Sequence, residues 1–348
     1  VNSVNVTQGS GNITVTGILQ NNGNTIALGS GTLTVTNTMQ INTGTVATGS
    51  GTVTVTGVYQ NNSGTLTCGS GSVIFKGTYQ NNGTFTAGAG TVYFSGTSQS
   101  LTDNSATGTI FKNVTFNCTG TATMGAGTGN FSVASTGVLT LVSPAKLVAG
   151  SAAAAYLTLK SDATGSATVA ALTGTSTITG FVNVQRYVTG GSATYRGYRL
   201  LSSPVYVSTV SGNNVYSLNY LKNSCYLTGS GGTGGSFDKT GNPTLYLYRE
   251  NLAPGNNSFT AGNFRGIANL ASSPGYTLDN EVGTFNIPVG NGFLFFFRGN
   301  RSTSLASKTT SPYPTPENTT LTATGTLAQG QVVVHEWYTP ALATIGYT

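Results

Sequence analysis

The sequence predicts an all-β protein, a parallel β-helix of about 20 residues per coil followed by a β-rich, sandwich-like globular domain. Three observations predict it. A Gly-Ser-Gly triplet recurs at Gly9, Gly29, Gly49 and Gly69 and returns one residue early as Gly88-Ala89-Gly90. Within each repeat, apolar residues alternate with Thr, the period-two signature of a strand with one buried face. Near Gly180 the composition changes. Only Lys76, Asp103, Lys112, Lys146, Lys160 and Asp162 carry charge before it, whereas charged and aromatic residues become frequent after it.

The unit Gly49 to Cys68 shows one coil in full: the glycine corner, the strand Thr52-Val53-Thr54-Val55-Thr56, the segment Tyr59-Gln60-Asn61-Asn62, and a second strand Thr65-Leu66-Thr67. The inward set is Ile13 and Val15, Leu33 and Val35, Val53 and Val55, Val73 and Phe75, Val92 and Phe94, with Ile26, Val46, Leu66 and Phe85 from the second strand. One coil cannot bury its own apolar face, so coils must stack, with like residue on like at about 4.8 Å. Gln20, Gln40, Gln60 and Gln80 are then expected to form an amide ladder, and Asn22, Asn42, Asn62 and Asn82 a second, each satisfying its amides down the column. A fifth Gln, Gln99, keeps the same offset from its glycine corner. The corner glycines are expected to supply positive φ. An antiparallel sandwich or propeller would also give regular turns, but a blade needs about 40 residues and a hairpin needs alternating strand directions.

The regular coils cover residues 1–100. Over 101–180 the motif decays into irregular coils, carried by Thr109 to Phe116, Gly137 to Leu141 and Tyr156 to Leu159. The only helix-compatible run, Ala152 to Ala155, is too short to stand alone.

The second domain is placed at 181–348. Strands are expected at Gly180 to Val188, Tyr195 to Leu201, Leu245 to Arg249, Gly292 to Arg298, Leu321 to Thr326 and Gln331 to Tyr338, with a long glycine-rich loop over Ser224 to Gly241. The segments Gly180-Phe181-Val182-Asn183-Val184-Gln185-Arg186-Tyr187-Val188, Tyr198-Arg199-Leu200-Leu201-Ser202-Ser203-Pro204-Val205, Gly292 to Ser302 and Thr320 to Leu327 resemble a module of large Bacteroidetes surface proteins. In that family the module follows β-helical repeats and precedes a C-terminal type IX secretion signal. The resemblance implies an extracellular or cell-surface location and says little about activity. Ile345-Gly346-Tyr347-Thr348 is no sorting domain, which implies a longer or processed protein. The missing initial Met points the same way.

Charged residues make up 6% of the 348, against roughly 25% in an average soluble domain. The net charge of +6 is scattered, without the basic stripe of a nucleic-acid protein. No apolar run approaches the roughly 20 residues that cross a bilayer. Cys68, Cys118 and Cys225 lack metal-ligand spacing. Cys68 and Cys118 read as small core residues.

Solenoid lyases and hydrolases need paired carboxylates or clustered Asp, and Asp103 and Asp162 are isolated. His335 and Glu336 would face opposite sides of one strand, while Asp279 and Glu281 fit a surface turn. No serine elbow or phosphate loop is present. We therefore expect no catalytic residue, metal or cofactor.

The reading that results is a non-catalytic extracellular structural protein: a cell-surface stalk or self-assembling filament subunit with an adhesive role. The open first coil, Val1 to Gly17, is expected to pair head to tail with another subunit. The alternative is a carbohydrate-binding surface module, with Tyr195, Tyr198, Tyr246, Tyr248 and Trp337 as glycan contacts. A polysaccharide-active enzyme would need a site built wholly beyond residue 180. The outward columns Thr14, Thr34, Thr54 and Thr16, Thr36, Thr56 fail at Ile74 and Lys76, too short for an ice-binding face.

Overall fold

A computed structural model describes residues 5–191, 196–210, 213–248, 264–270, 287–332 and 334. The chain divides into two compact units, Val1–Gln185 and Arg186–Thr348, against a boundary expected after Gly180.

The first unit is built of parallel strands that repeat coil by coil. One sheet runs through Val6–Thr7, Leu19–Ala27, Met39–Ala47, Tyr59–Asn61, Tyr79–Asn81, Gln99–Asp103, Thr121–Met124, Lys146–Val148 and Thr177–Thr179. The other runs through Ile13–Val15, Leu33–Val35, Val53–Val55, Val73–Phe75, Thr91–Phe94, Thr109–Phe116, Phe131–Leu141, Ala155–Leu159 and Phe181–Val188. Register is kept one repeat apart: Leu33 lies on Val53, Val53 on Val73, and Tyr59 on Tyr79. The period set by Gly-Ser-Gly is thus the translation that joins neighbouring strands, and the unit is a parallel β-helix.

The inward set is buried as expected from Leu33 onward. Ile13, at 37% exposure, differs because among the described residues its strand is the outermost of its sheet. Identical registers stack identical shapes. Phe75 and Phe94 stack with centroids 5.7 Å apart, Phe94 and Phe116 at 5.0 Å, and Tyr59 and Tyr79 at 5.0 Å. Such offset pairs add about 0.5–1.5 kcal/mol each beyond burial.

The glycines of the repeat correct one expectation. Of those between Gly9 and Gly96, only Gly44 has a positive φ, 73°. Gly51 is required by proximity instead, since a Cβ there would lie 1.9 Å from the carbonyl oxygen of Gly31 in the coil beneath. The corners are so tightly stacked that backbone meets backbone.

The expected irregular coils occur, and the Ala run leads into the strand Ala155–Leu159 rather than a helix. In the second unit, an antiparallel sheet is ordered Gly197–Leu201, Phe293–Phe297, Leu245–Tyr248, Phe264–Gly266. Leu245, Leu247, Phe293, Phe295 and Phe297 point from one face into the unit's core, where Leu218, Leu221, Leu227 and Ile267 meet them. Thr319–Leu327 pairs with Val205–Tyr206. Most of the strand expected over Gln331 to Tyr338 lies outside the described residues. The glycine-rich loop holds a short 3-10 turn, Gly232–Gly235, and the paired segments Thr228–Gly229 and Lys239–Thr240.

Candidate functional site

The columns come first, because they locate the polar residues of the β-helix. Gln20 donates to Gln40 at 2.8 Å and Gln40 to Gln60 at 3.3 Å. Gln80 keeps register with Gln60 and is followed by Thr102, which ends the glutamine column. Gln99 turns inward and donates to the carbonyls of Phe75 and Gly77. Asn62 donates to Asn42 and Asn42 to Asn22, each at 2.5 Å; the ladder is not bonded between Asn62 and Asn82, and Asn104 donates to Asn82 at 2.9 Å.

A third, internal column was not anticipated. Asn61 donates to Asn81 at 2.9 Å, and Asn81 donates to Asp103 at 3.2 Å and to Thr109 at 3.1 Å. Thr109 also donates to the same carboxylate oxygen of Asp103, while the Ser105 backbone N–H and hydroxyl occupy the other oxygen at 2.8 and 2.6 Å. The carboxyl of Asp103 is thus satisfied by four donors within a closed core, as a buried polar group requires. Tyr79 reaches Thr109 at 3.1 Å. Burial pushes the phenols of Tyr59 and Tyr79 well above their ordinary range. The carboxyl of Asp103 is fully engaged, while Asn61 Oδ1 and the Tyr59 hydroxyl are buried without a hydrogen-bond partner among the described residues; the cluster is closed, so it braces the coil rather than meeting a ligand.

The open site lies in the second unit. Gly197 pairs with Phe297, so the flanking residues Arg196 and Arg298 meet at the same end of the antiparallel sheet. Like charges directly opposite one another are destabilising. Each guanidinium is nonetheless fixed: Arg196 donates to the carbonyl of Lys308 at 2.7 Å and lies 3.9 Å over the Tyr313 ring, while Arg298 donates to Thr244 at 2.7 Å and lies 4.7 Å over Phe296. Lys239 adds a third positive charge and donates to Thr309 at 3.3 Å. With Thr228, Thr240 and Asn242 these residues line an open cavity of about 250 Å³.

Burial, then repulsion from Arg196, pulls Arg298 down to about 10. Among the described residues no carboxylate pairs with Arg196, Arg298 or Lys239; the acids that do form ion pairs go elsewhere, Asp238 to Arg301 at 2.6 Å and Glu317 to Lys308. The arrangement is a cationic recess with hydroxyl and amide donors, suited to a compact anion.

The aromatic expectation divides. Tyr198 and Tyr248 are 38% and 44% exposed on the outer face of the antiparallel sheet. Tyr246 corrects the expectation: at 1% exposure it packs edge-on beneath Tyr198 at 5.8 Å and offers no surface to a glycan. Tyr195, Trp337, His335, Glu336, Glu250, Asp279 and Glu281 lie outside the described residues. Cys68, Cys118 and Cys225 are buried and unpaired by disulfide; burial lifts Cys68 and Cys225 to about 12. Among the described residues no three His, Cys, Asp or Glu side chains converge as metal ligands, and no helix is long and apolar enough to cross a membrane.

Sequence reasoning missed the arginine pair because Arg196 belongs to no motif and nothing local links it to Arg298, about a hundred residues away. The available signal was an Arg flanking each of two aromatic strands, in Arg196-Gly197-Tyr198 and Phe296-Phe297-Arg298. No family model, no curated protein and no solved structure matches this chain.

Proposed function

We propose that this protein is a non-catalytic extracellular structural protein, a cell-surface stalk or self-assembling subunit with an adhesive role. The observation that carries the reading is the translational stacking of the coils. Each coil offers the next the same strand edges and the same glycine corners, so a column can be extended by any chain presenting a matching edge. The first coil supports assembly through this route. Among the described residues Val6–Thr7 and Ile13–Val15 are the outermost strands of their sheets, and a Cβ on Gly9 or Gly11 would meet nothing within 4 Å.

The acids of the described residues are engaged in structural bonds: Asp103 with four donors, Asp162 with Ser135 and Thr164, Asp238 and Glu317 in ion pairs. That engagement favours a structural role over general acid–base chemistry, which requires a carboxyl free to exchange its proton with a substrate. The resemblance to Bacteroidetes surface proteins supports the extracellular location.

Negative-stain electron microscopy of the purified chain across a concentration range tests assembly. Filaments with a uniform axial repeat support the subunit reading; discrete rods at every concentration leave a stalk without head-to-tail pairing.

A second reading, a carbohydrate-binding surface module, is favoured by Tyr198 and Tyr248 on the same sheet face as Arg196 and Arg298. Aromatic faces bind sugar rings through apolar contact, with polar neighbours fixing orientation.

A further inference from the structure

The arginine pair carries a mutual repulsion that a bound anion would relieve. Two guanidinium groups at one sheet end repel each other, and Arg298 is in addition largely withdrawn from water. A surface designed only for solubility would separate them or place an acid between them. Instead each is clamped by a carbonyl or hydroxyl acceptor and an aromatic ring, so the positive edge is held in place before anything arrives. Pre-organised, partly desolvated donors of this kind recognise planar oxyanions, because a guanidinium fork matches two carboxylate oxygens.

We propose that the cavity lined by Arg196, Arg298, Lys239, Thr240 and Asn242 binds the carboxylate of an acidic sugar, a uronic-acid residue of a surface or extracellular polysaccharide. This rests on the carbohydrate-binding reading above. The cavity, about 250 Å³, falls below the roughly 300–1,000 Å³ of sites for drug-sized ligands, so it takes one charged ring rather than a chain. Hydroxyl and amide groups at its rim, from Thr240, Asn242 and Thr309, suit the ring hydroxyls. The exposed ring of Tyr198 lies on the same sheet face and offers an apolar surface for the next sugar along.

The full chain is titrated by calorimetry with glucuronate, with glucose as the neutral counterpart and inorganic sulfate as the free oxyanion. The expected result is binding of glucuronate at least tenfold tighter than either control, weakening as salt rises. Lys239→Ala, at an exposed side chain, and Arg196→Gln are each expected to weaken it about tenfold or more, the effect of losing one charge-assisted bond. A melting temperature within the wild-type range shows that each variant is folded. Glucose binding as tightly as glucuronate overturns the acidic-sugar assignment while leaving the carbohydrate reading in place. Sulfate binding as tightly as glucuronate reduces the site to a free-anion site and overturns the sugar. Absence of binding by all three overturns the inference, and a screen of neutral oligosaccharides then decides the reading beneath it.

Discussion

The carbonyl oxygen of Gly31 lies 1.9 Å from where a Cβ of Gly51 would be. The contact is backbone against backbone, so no side chain can swing away to relieve it. Gly11, two coils before Gly51 in the same column, has open space at the corresponding position.

This contrast yields a paired prediction. Gly51→Ala is expected to destabilise the β-helix by about 1–3 kcal/mol, the usual range for overpacking, read as a lower melting temperature. Gly11→Ala is expected to leave the melting temperature of the monomer unchanged and to reduce filament formation, because its added methyl group would occupy the space of an incoming coil. Unimpaired filaments in Gly11→Ala would exclude the first coil's glycine corner as the joining edge.

Asp103 is the anchor of the internal polar column. Its replacement by Ala strands Asn81, Thr109 and Ser105 as buried donors, each worth about 1–3 kcal/mol when unsatisfied. A loss of about 3 kcal/mol or more is expected in denaturant unfolding of Asp103→Ala. A loss below about 1 kcal/mol would mean that water enters and replaces the carboxylate.

Lys308 is 1% exposed and is held by the carbonyl of Arg298 and by Glu317. Burial would raise the Glu317 carboxyl, but hydrogen bonds from Lys308 and Thr303 outweigh it and hold the group at about 2, below its ordinary 4.5. A depressed folded value means that the stabilisation is complete above about pH 4.5 and fades as pH falls towards 2. Glu317→Gln leaves the buried ammonium without its counter-charge, with an expected cost of about 3 kcal/mol at pH 7. The gap between wild type and variant is expected to close on acidification across that window, measured by melting at fixed pH values. A gap independent of pH would show that the pair contributes through packing alone.

The three thiols are expected to resist alkylation at pH 8 until the chain unfolds. Cys68 and Cys225, raised to about 12 by burial, hold almost no thiolate there. Cys118 is also raised by burial and is fully enclosed. Mass spectrometry after iodoacetamide treatment, with and without denaturant, reads the outcome residue by residue.

The repeat made the first unit legible. A 20-residue translation fixes which residues share a column, so Val53 above Leu33 and Asn42 above Asn22 could be placed without coordinates. The reason for the glycines was hidden, because torsional need and backbone crowding select the same residue and only interatomic distance separates them. The Asn61–Asn81–Asp103 column was obscured for another reason. Ile41 interrupts it between Asn21 and Asn61, and the 22-residue step from Asn81 to Asp103 breaks the period. In the second unit no repeat operates. Arg196 and Arg298 are brought together by strand register across about a hundred residues of chain, a relation that local pattern does not carry. Tyr246 and Tyr248 show the same limit at close range: they share a sheet face, yet one is covered and the other is not.

Because the columns from Ile13 to Phe75 repeat on one 20-residue step, this part of the stack has no privileged length. Excising residues 36–55 would join Val35 to Thr56 and bring Val15, Val35 and Phe75 into the succession that Val15, Val35 and Val55 now hold, with the parallel register kept. The molecule is in this sense a ruler graduated in coils, each mark about 4.8 Å from the next. Duplication or deletion within its gene could retune its reach in whole graduations while the second unit remained untouched.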